Sequence, residues 1–129
     1  MSSVKENLKV IQQNLVPYKP RIIAVTKYYE TSKIIEAYES GIKDFAESKV
    51  QDAIAKIASL PDDIVKNSTW HFIGHLQSNK VRKIVGKFDY IHSVDSLALA
   101  QDISRIAGEL GIVQKILLQV NLANEETKF

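Results

Sequence analysis

The sequence has no cysteine, only five glycines and three prolines, and almost no excess of charge of either sign. Without cysteine, disulfides and thiolate metal sites are excluded. The 17 basic and 15 acidic residues are interspersed and leave a formal net charge of +2. No block of one sign therefore indicates a nucleic acid or a membrane surface as a partner, and we expect neither.

Long apolar segments are also missing. No run is long enough to span a bilayer, and none follows Met1 as a signal peptide would require. With 45% hydrophobic and 25% charged residues, the chain has an ordinary globular composition and enough length for one core. No linker, repeat or low-complexity tract divides it. We predict a cytoplasmic protein in which residues 1–129 form a single domain.

Strand and helix patterns alternate along the chain. Val4, Leu8, Ile11 and Leu15 lie at helical spacing and predict a first amphipathic helix. The predicted strands that follow are 22–26, 43–46, 70–74, 89–94 and 115–121. The helical patterns between them predict parallel β/α units with right-handed crossovers. On pattern alone, the length favours a flavodoxin-like doubly wound sheet, because a complete (β/α)8 barrel usually needs about 250 residues.

The helix boundaries are predicted from capping residues. The predicted starts are Thr31 or Ser32, Ser48 with Gln51 as a capping box, about Ser78, and Asp95. The predicted ends are Gly41, Pro61, Gly86 and Gly111.

Polar residues at the strand ends are the candidate site, because both α/β folds place function where strands end. They are Lys27, Glu47 with Ser48, Gly74 with His75, Ser93 with Asp95, and Asn121. A desolvated Lys27 amine would favour the neutral form, which attacks an aldehyde to make a Schiff base. The alternative is a lysine that merely extends into solvent from a strand end. Of Tyr28 and Tyr29, we expect one in the core.

The segment from His71 to Lys80 has the highest density of candidate residues. His71 and His75 are four apart, a ligand spacing on a helix, but their β-branched and aromatic neighbours predict a strand ending at Gly74, which disfavours a metal site. His75 would then line the strand-end edge. Ser78 would begin a helix. Either its side chain is an ordinary helix cap, or the exposed backbone amides at the start of that helix hold an anion. Neither of the common glycine-rich motifs for nucleotide binding, G-x-G-x-x-G and the Walker loop, is present.

Five segments taken together carry a family resemblance. They are Ala24 to Lys27, Asp44 to Gln51, His71 to Lys80, His92 to Ser96, and Gln119 to Lys128. In order and spacing they resemble the pyridoxal-phosphate homeostasis proteins. The resemblance implies a modified TIM barrel similar to the N-terminal domain of alanine racemase, of which about the first five strands are present. It also implies pyridoxal 5′-phosphate (PLP) held as a Schiff base on Lys27, without established turnover.

The same resemblance implies cofactor neighbours. Ser48, His75, Ser93 and Asn121 would lie around PLP, and Lys128 matches a family lysine after the fifth strand. Ala46 and Ser48 stand where the family has Gly and Asn. The shorter Ser48 side chain is therefore expected to loosen PLP without abolishing its binding.

The family continues beyond the length of this sequence, with β/α units that carry the phosphate cradle. We therefore expect a fragment of a larger protein, or a chain that associates through an open barrel edge. PLP-dependent apo-enzymes are the other partners that the resemblance implies. Two alternatives stay open: a PLP-dependent racemase or lyase in which Lys27 is also the base, and a cofactor-free interaction module.

Overall fold

A computed structural model describes residues 3–120 and residue 122, which form a parallel sheet with surrounding helices. The strands are β1 Ile23–Val25, β2 Asp44–Glu47, β3 Thr69–Phe72, β4 Tyr90–Val94 and β5 Lys115–Leu118. The α-helices are α1 Val4–Leu15, α2 Thr31–Glu39, α3 Val50–Ser59, α4 Asp62–Asn67, α5 Val81–Ile84 and α6 Leu97–Leu110. A 3₁₀ turn, Ser78–Lys80, precedes α5.

The order of the strands in the sheet follows their order in the chain, β1-β2-β3-β4-β5, and every neighbouring pair is parallel. A doubly wound sheet reverses its strand order at a switch point, whereas the wall of a barrel does not. The flavodoxin-like prediction from pattern alone is therefore wrong. The five parallel strands in sequential order, as in the wall of a barrel, agree with the fold that the resemblance implied.

The core lies between the sheet and the helices. Phe45, Phe72 and Ile91 on the three middle strands are fully buried, as is Ile34 on α2. The rings of Phe45 and Trp70 lie 5.3 Å apart between their centroids. Burial of each large apolar side chain contributes about 1.5–3 kcal/mol relative to exposure, so this layer fixes the sheet on which the strand ends are arranged.

Two predicted helix caps are wrong. The capping box of Ser48 with Gln51 does not form, because α3 begins two residues after Ser48 and its N-cap, Lys49, makes no side-chain cap bond. Ser96, not Asp95, is the N-cap of α6, since β4 continues through residue 94 and the backbone of Ser96 is still extended. The Ser96 side chain accepts a hydrogen bond from the amide of Leu99 at 3.1 Å.

The other helix boundaries differ in smaller ways. Helix α2 begins at Thr31, but its N-cap is Glu30. Gly111 has a φ of 68° and ends α6 as predicted. The helix predicted from Ser78 is a 3₁₀ turn followed by a single short helix. Helix α4 was not predicted, because Pro61 was interpreted only as an end and is in fact the N-cap of that helix.

Two strands end well before the predicted residue. Strand β3 ends at Phe72 rather than Gly74, and β5 ends at Leu118, whereas residue 121 lies outside the described residues. In the part of the chain that the structure describes, no helix has the length and apolarity needed to cross a membrane.

Candidate functional site

The carboxyl ends of the first four strands lie along one edge of the sheet. Hydrogen bonds of the parallel ladder continue past the strands, from the Thr26 amide to the Ala46 carbonyl at 3.0 Å and from the Ile73 amide to the Glu47 carbonyl at 2.9 Å. The residues that follow β1, β2 and β3 are thereby held side by side. This strand-end edge carries the predicted site residues Lys27, Ser48 and His75.

Lys27 directly follows the last ladder residue of β1 and is exposed. Its Nζ lies 5.7 Å from the ring centroid of Tyr28, and Nζ of Lys49 lies 4.9 Å from the same ring. Two amines therefore lie near one aromatic ring at distances typical of cation–π pairs. The desolvated surroundings considered for Lys27 are not found among the described residues, since the side chain is open to solvent.

Tyr28 has a φ of 70°, which lies in the left-handed region of backbone conformation that residues other than glycine rarely adopt. The side chains of Tyr28 and Tyr29 are 76% and 57% exposed, so the expectation that one of them enters the core is wrong. The chain turns outward directly after Lys27, and this turn carries both rings away from the core.

Glu47, one of the predicted strand-end residues, is not exposed at the edge but belongs to a buried polar cluster that the sequence did not predict. Glu47 is 1% exposed and its carboxylate accepts hydrogen bonds from the Thr26 hydroxyl and from Lys56 Nζ, the latter at 3.2 Å. Lys56 lies on α3 and also donates to the Thr26 carbonyl at 2.8 Å. The only signal in the sequence is a charged residue at a strand end and a lysine within an otherwise amphipathic helix, which is too common to identify such a pair.

Ser48 and His75 are brought together in one cavity. This cavity, of about 420 Å³, opens between the loop after β2 and the loop after β3. Ser48 is half-buried and His75 is exposed. Other lining residues include Lys49, Gln51, Gln77 and Lys80, so most polar groups facing the cavity are cationic or hydrogen-bond donors. An anionic ligand matches that set of groups.

Ser93 lies near the end of the fourth strand, as predicted, but its side chain is not exposed at the strand-end edge. It lies within β4 and is buried, and its hydroxyl donates to the Gly74 carbonyl at 2.5 Å. The backbone of Gly74 also packs closely against that of Ser48. Ser93 therefore supports the strand-end edge from beneath. Asn121 and Lys128, which were also considered for the site, lie outside the described residues.

A second polar group lies on the sheet, away from this edge. His71 Nε2 donates to Asp44 Oδ1 at 2.9 Å, since the ionised carboxylate only accepts, and His71 Nδ1 is 2.8 Å from His92 Nε2. The ring of Tyr90 stacks on His71 with centroids 5.1 Å apart. Arg21 Nε donates to both oxygens of Asp44 at 2.9 Å. We name Arg21, Asp44, His71, Tyr90 and His92 the sheet-face network.

Charge and burial shift the ionisation of two members of the sheet-face network. The hydrogen bond from Arg21 lowers the pKa of the Asp44 carboxyl, and the bond from His71 lowers it further against the opposing effect of burial. Burial lowers the pKa of His92, and the neighbouring His71 adds to that effect. His71 is thus engaged within the sheet while His75 lies at the cavity, so the two histidines do not face one ion. Among residues 3–120 and 122, no cluster of three or more potential metal ligands occurs.

The chain is similar to proteins of one family along nearly its whole length. The family model of the alanine racemase N-terminal domain matches residues 1–124. A pyridoxal phosphate homeostasis protein of Synechocystis sp. is 49% identical over 113 residues, which are 88% of this chain and 51% of that relative. A protein of the same name from Aquifex aeolicus is 39% identical over 108 residues, which are 84% and 46% of the two chains.

Two solved structures of PipY from Synechococcus elongatus PCC7942 have the same fold. The structure without PLP has a TM-score of 0.86 at 47% identity and covers 97% of this chain and 57% of PipY. The structure with PLP bound has a TM-score of 0.80 at 45% identity and covers 95% and 56%. This chain thus spans about half the length of the relatives it matches. The resemblance inferred from the motifs is confirmed.

Proposed function

Because the chain belongs to the alanine racemase N-terminal domain family, we propose that it binds PLP covalently at Lys27 and serves PLP homeostasis. The observation that carries the proposal is the position of Lys27, an exposed amine two residues after the end of β1 on the strand-end edge. The names of the relatives and the PLP bound to PipY support it.

The residues present fit the chemistry of this cofactor. PLP supplies an aldehyde: the Lys27 amine forms a C=N bond with its carbon, and water leaves. The cavity that contains Ser48 and His75 is lined by Lys49 and Lys80, and these groups suit an anionic ligand such as one carrying a phosphate. The aromatic ring of Tyr28 lies close to both amines, 5.7 Å from Lys27 Nζ and 4.9 Å from Lys49 Nζ, and could stack on a flat ligand.

Ser93 and Asn121 complete the proposed set of cofactor-binding residues. Ser93 contributes by holding the Gly74 carbonyl, which keeps the loop after β3 against the loop after β2. Asn121 lies outside the described residues, and its contact with PLP stays a prediction from the resemblance.

We further propose that PLP is stored and delivered rather than used for turnover. Apo-enzymes that depend on PLP would receive it, and the role would be cytoplasmic. The name shared by the relatives supports storage, since it describes homeostasis. We also propose that residues 1–129 belong to one domain, because nearly all buried apolar side chains of the described residues form one cluster.

The direct test is titration of the purified chain with PLP, followed by borohydride reduction and peptide mass analysis. We expect PLP mass on the Lys27 peptide at near-stoichiometric yield, together with loss of the adduct and of its visible absorbance band in Lys27→Ala. The matched control is Lys83→Ala, which removes another exposed lysine from the short helix α5. Labelling scattered over surface lysines, or an equal band in Lys27→Ala, would contradict the proposal.

A racemisation assay separates storage from catalysis. We expect the PLP-loaded chain to leave L-alanine unchanged. Racemisation that survives extensive purification and disappears in Lys27→Ala would instead indicate a racemase in which this lysine moves a proton.

A further inference from the structure

We propose that Glu47 and Lys56 are positioning residues for Lys27: together they fix the backbone from which the Lys27 side chain leaves β1. The inference rests on the proposed function, because it assigns these residues to the same PLP site. Neither side chain would need to touch PLP, since both act through Thr26.

The contacts of Thr26 support this role. Its amide donates to the Ala46 carbonyl at 3.0 Å, and its carbonyl accepts from Lys56 Nζ at 2.8 Å and from the Tyr29 amide at 3.1 Å. Its hydroxyl donates to the carboxylate of Glu47. The donor and acceptor groups of the residue before Lys27 are thus all engaged, and the peptide group that leads into Lys27 is held in one orientation.

The burial of the pair is the second part of the argument. The side chain of Glu47 is 1% exposed and that of Lys56 is 15% exposed. Taking two charges out of water is costly, and replacement of such a pair by apolar residues is often neutral or stabilising. Stability alone is therefore a weak explanation for charges here. Their distinctive effect is directional, since one ammonium group joins the carboxylate of Glu47 on β2 to the carbonyl of Thr26, the residue after β1.

The pair also links elements that the sheet does not join. Lys56 is carried by α3, whereas Thr26 is at the end of β1, so the ammonium connects the helix to the strand that bears the cofactor lysine. The side chain of Thr26 is buried, whereas that of the next residue, Lys27, is exposed. A fixed Thr26 carbonyl beneath it sets the starting direction of that side chain, which is the kind of support that a reactive group needs from its surroundings.

The test compares Lys56→Met with Lys33→Met. Both changes replace a lysine by an apolar side chain of similar length, and both remove an ion pair with an N–O distance of 3.2 Å. The Lys33–Glu36 pair, however, lies on the solvent-facing side of α2, with side chains 53% and 35% exposed. We expect Lys56→Met to raise the PLP concentration that gives half-maximal trapping at Lys27 by about 10- to 100-fold. We expect Lys33→Met to behave as the unaltered chain. Folded Lys56→Met with unaltered trapping would overturn the inference.

Thr26→Val keeps the test decisive if Lys56→Met does not fold. This change removes the hydroxyl bond to Glu47 but leaves the buried ion pair intact. A purely structural role predicts a lower free energy of unfolding with trapping at Lys27 unaltered. A positioning role predicts that the PLP concentration for half-maximal trapping at Lys27 rises by about threefold or more, while the circular dichroism spectrum of the protein is unaltered. Unaltered trapping in Thr26→Val would reject the inference.

A separate readout distinguishes failure of this inference from failure of the proposed function. If the unaltered chain is not labelled by PLP at Lys27, the proposed function fails. The rate of Lys27 acetylation by acetic anhydride, divided by that of Lys83 in the same sample, then reports the position of the amine without any cofactor. We expect this ratio to change in Lys56→Met and to stay constant in Lys33→Met; a constant ratio in both would reject positioning.

Discussion

The carbonyl oxygen of Ser48 occupies the space that a side chain on Gly74 would need: a Cβ atom there would lie 1.9 Å from it. The loop after β2 and the loop after β3 are in contact through this glycine. The cavity containing Ser48 and His75 depends on that contact, since it opens between the same two loops.

Gly74→Ala is therefore expected to lower the free energy of unfolding by about 1–3 kcal/mol, because backbone must shift to admit the methyl group. The matched control is Gly108→Ala in α6, where a Cβ would meet nothing within 4 Å. That variant should gain about 1 kcal/mol from helix propensity. Urea unfolding followed by circular dichroism measures both values, and equal stability of the two variants would contradict the close approach at Gly74.

Tyr28→Gly tests the left-handed backbone after Lys27. Relief of the φ of 70° favours the variant by about 1–2 kcal/mol, and the added freedom of the unfolded chain opposes it by about 0.5–1 kcal/mol. Tyr29→Gly has only the unfavourable contribution. We expect Tyr28→Gly to be the more stable of the two by about 1–2 kcal/mol in urea unfolding. The reverse order would show that Tyr28 is not strained.

Asp44→Asn should change the response of the chain to acid. The folded state lowers the pKa of Asp44 below its ordinary value of 3.8, mainly through Arg21, so its stabilising effect is complete above that pH and is lost as the pH falls through the folded pKa. We expect the free energy of unfolding of the variant to be about 1–3 kcal/mol lower at neutral pH. We also expect it to decrease less than that of the unaltered chain when the pH is lowered. Unfolding in urea at neutral and acid pH gives both quantities, with exposed Asp62→Asn as the control.

His92→Gln should remove a second, milder dependence on pH. Burial lowers the pKa of folded His92 below 6.5, so the unfolded chain takes up its proton first as the pH falls. Stability attributable to the neutral ring is present above 6.5 and is lost as the pH falls toward the folded value. The decrease in unfolding free energy from about pH 7.5 to about pH 5.5 should be smaller in His92→Gln. An identical decrease in both proteins would assign the effect to another group.

Much of the fold could be predicted from sequence because strands and helices have different apolar periods. The five strands were found within a few residues of their observed bounds, as for residues 89–94 against Tyr90–Val94. Strand order could not be predicted this way, because the same alternation of elements builds a doubly wound sheet and a barrel wall. The barrel was favoured by the sequence motifs that resemble a family, and the periodicity of apolar residues did not favour it.

The predicted helix caps failed where two neighbouring residues are equally suitable for the same position. Asp95 and Ser96 are both good N-caps, and only the length of β4 decides between them. The Thr26–Glu47–Lys56 cluster was missed because its members come from different elements. The sheet-face network had a weak signal that could have been used, since Tyr90 and His92 are polar residues at alternate positions of a strand.

The sequential order of the strands also bears on how the chain is made. Ile23 pairs with Asp44 and Tyr90 with Lys115, so each strand finds its partner only about 20 to 25 residues away. On a ribosome, every new strand would emerge beside one already formed, and no pairing would have to wait for a distant segment. Within this sheet, synthesis and assembly can then advance together from β1 to β5, so that the turn bearing Lys27 is built before the strands that follow it.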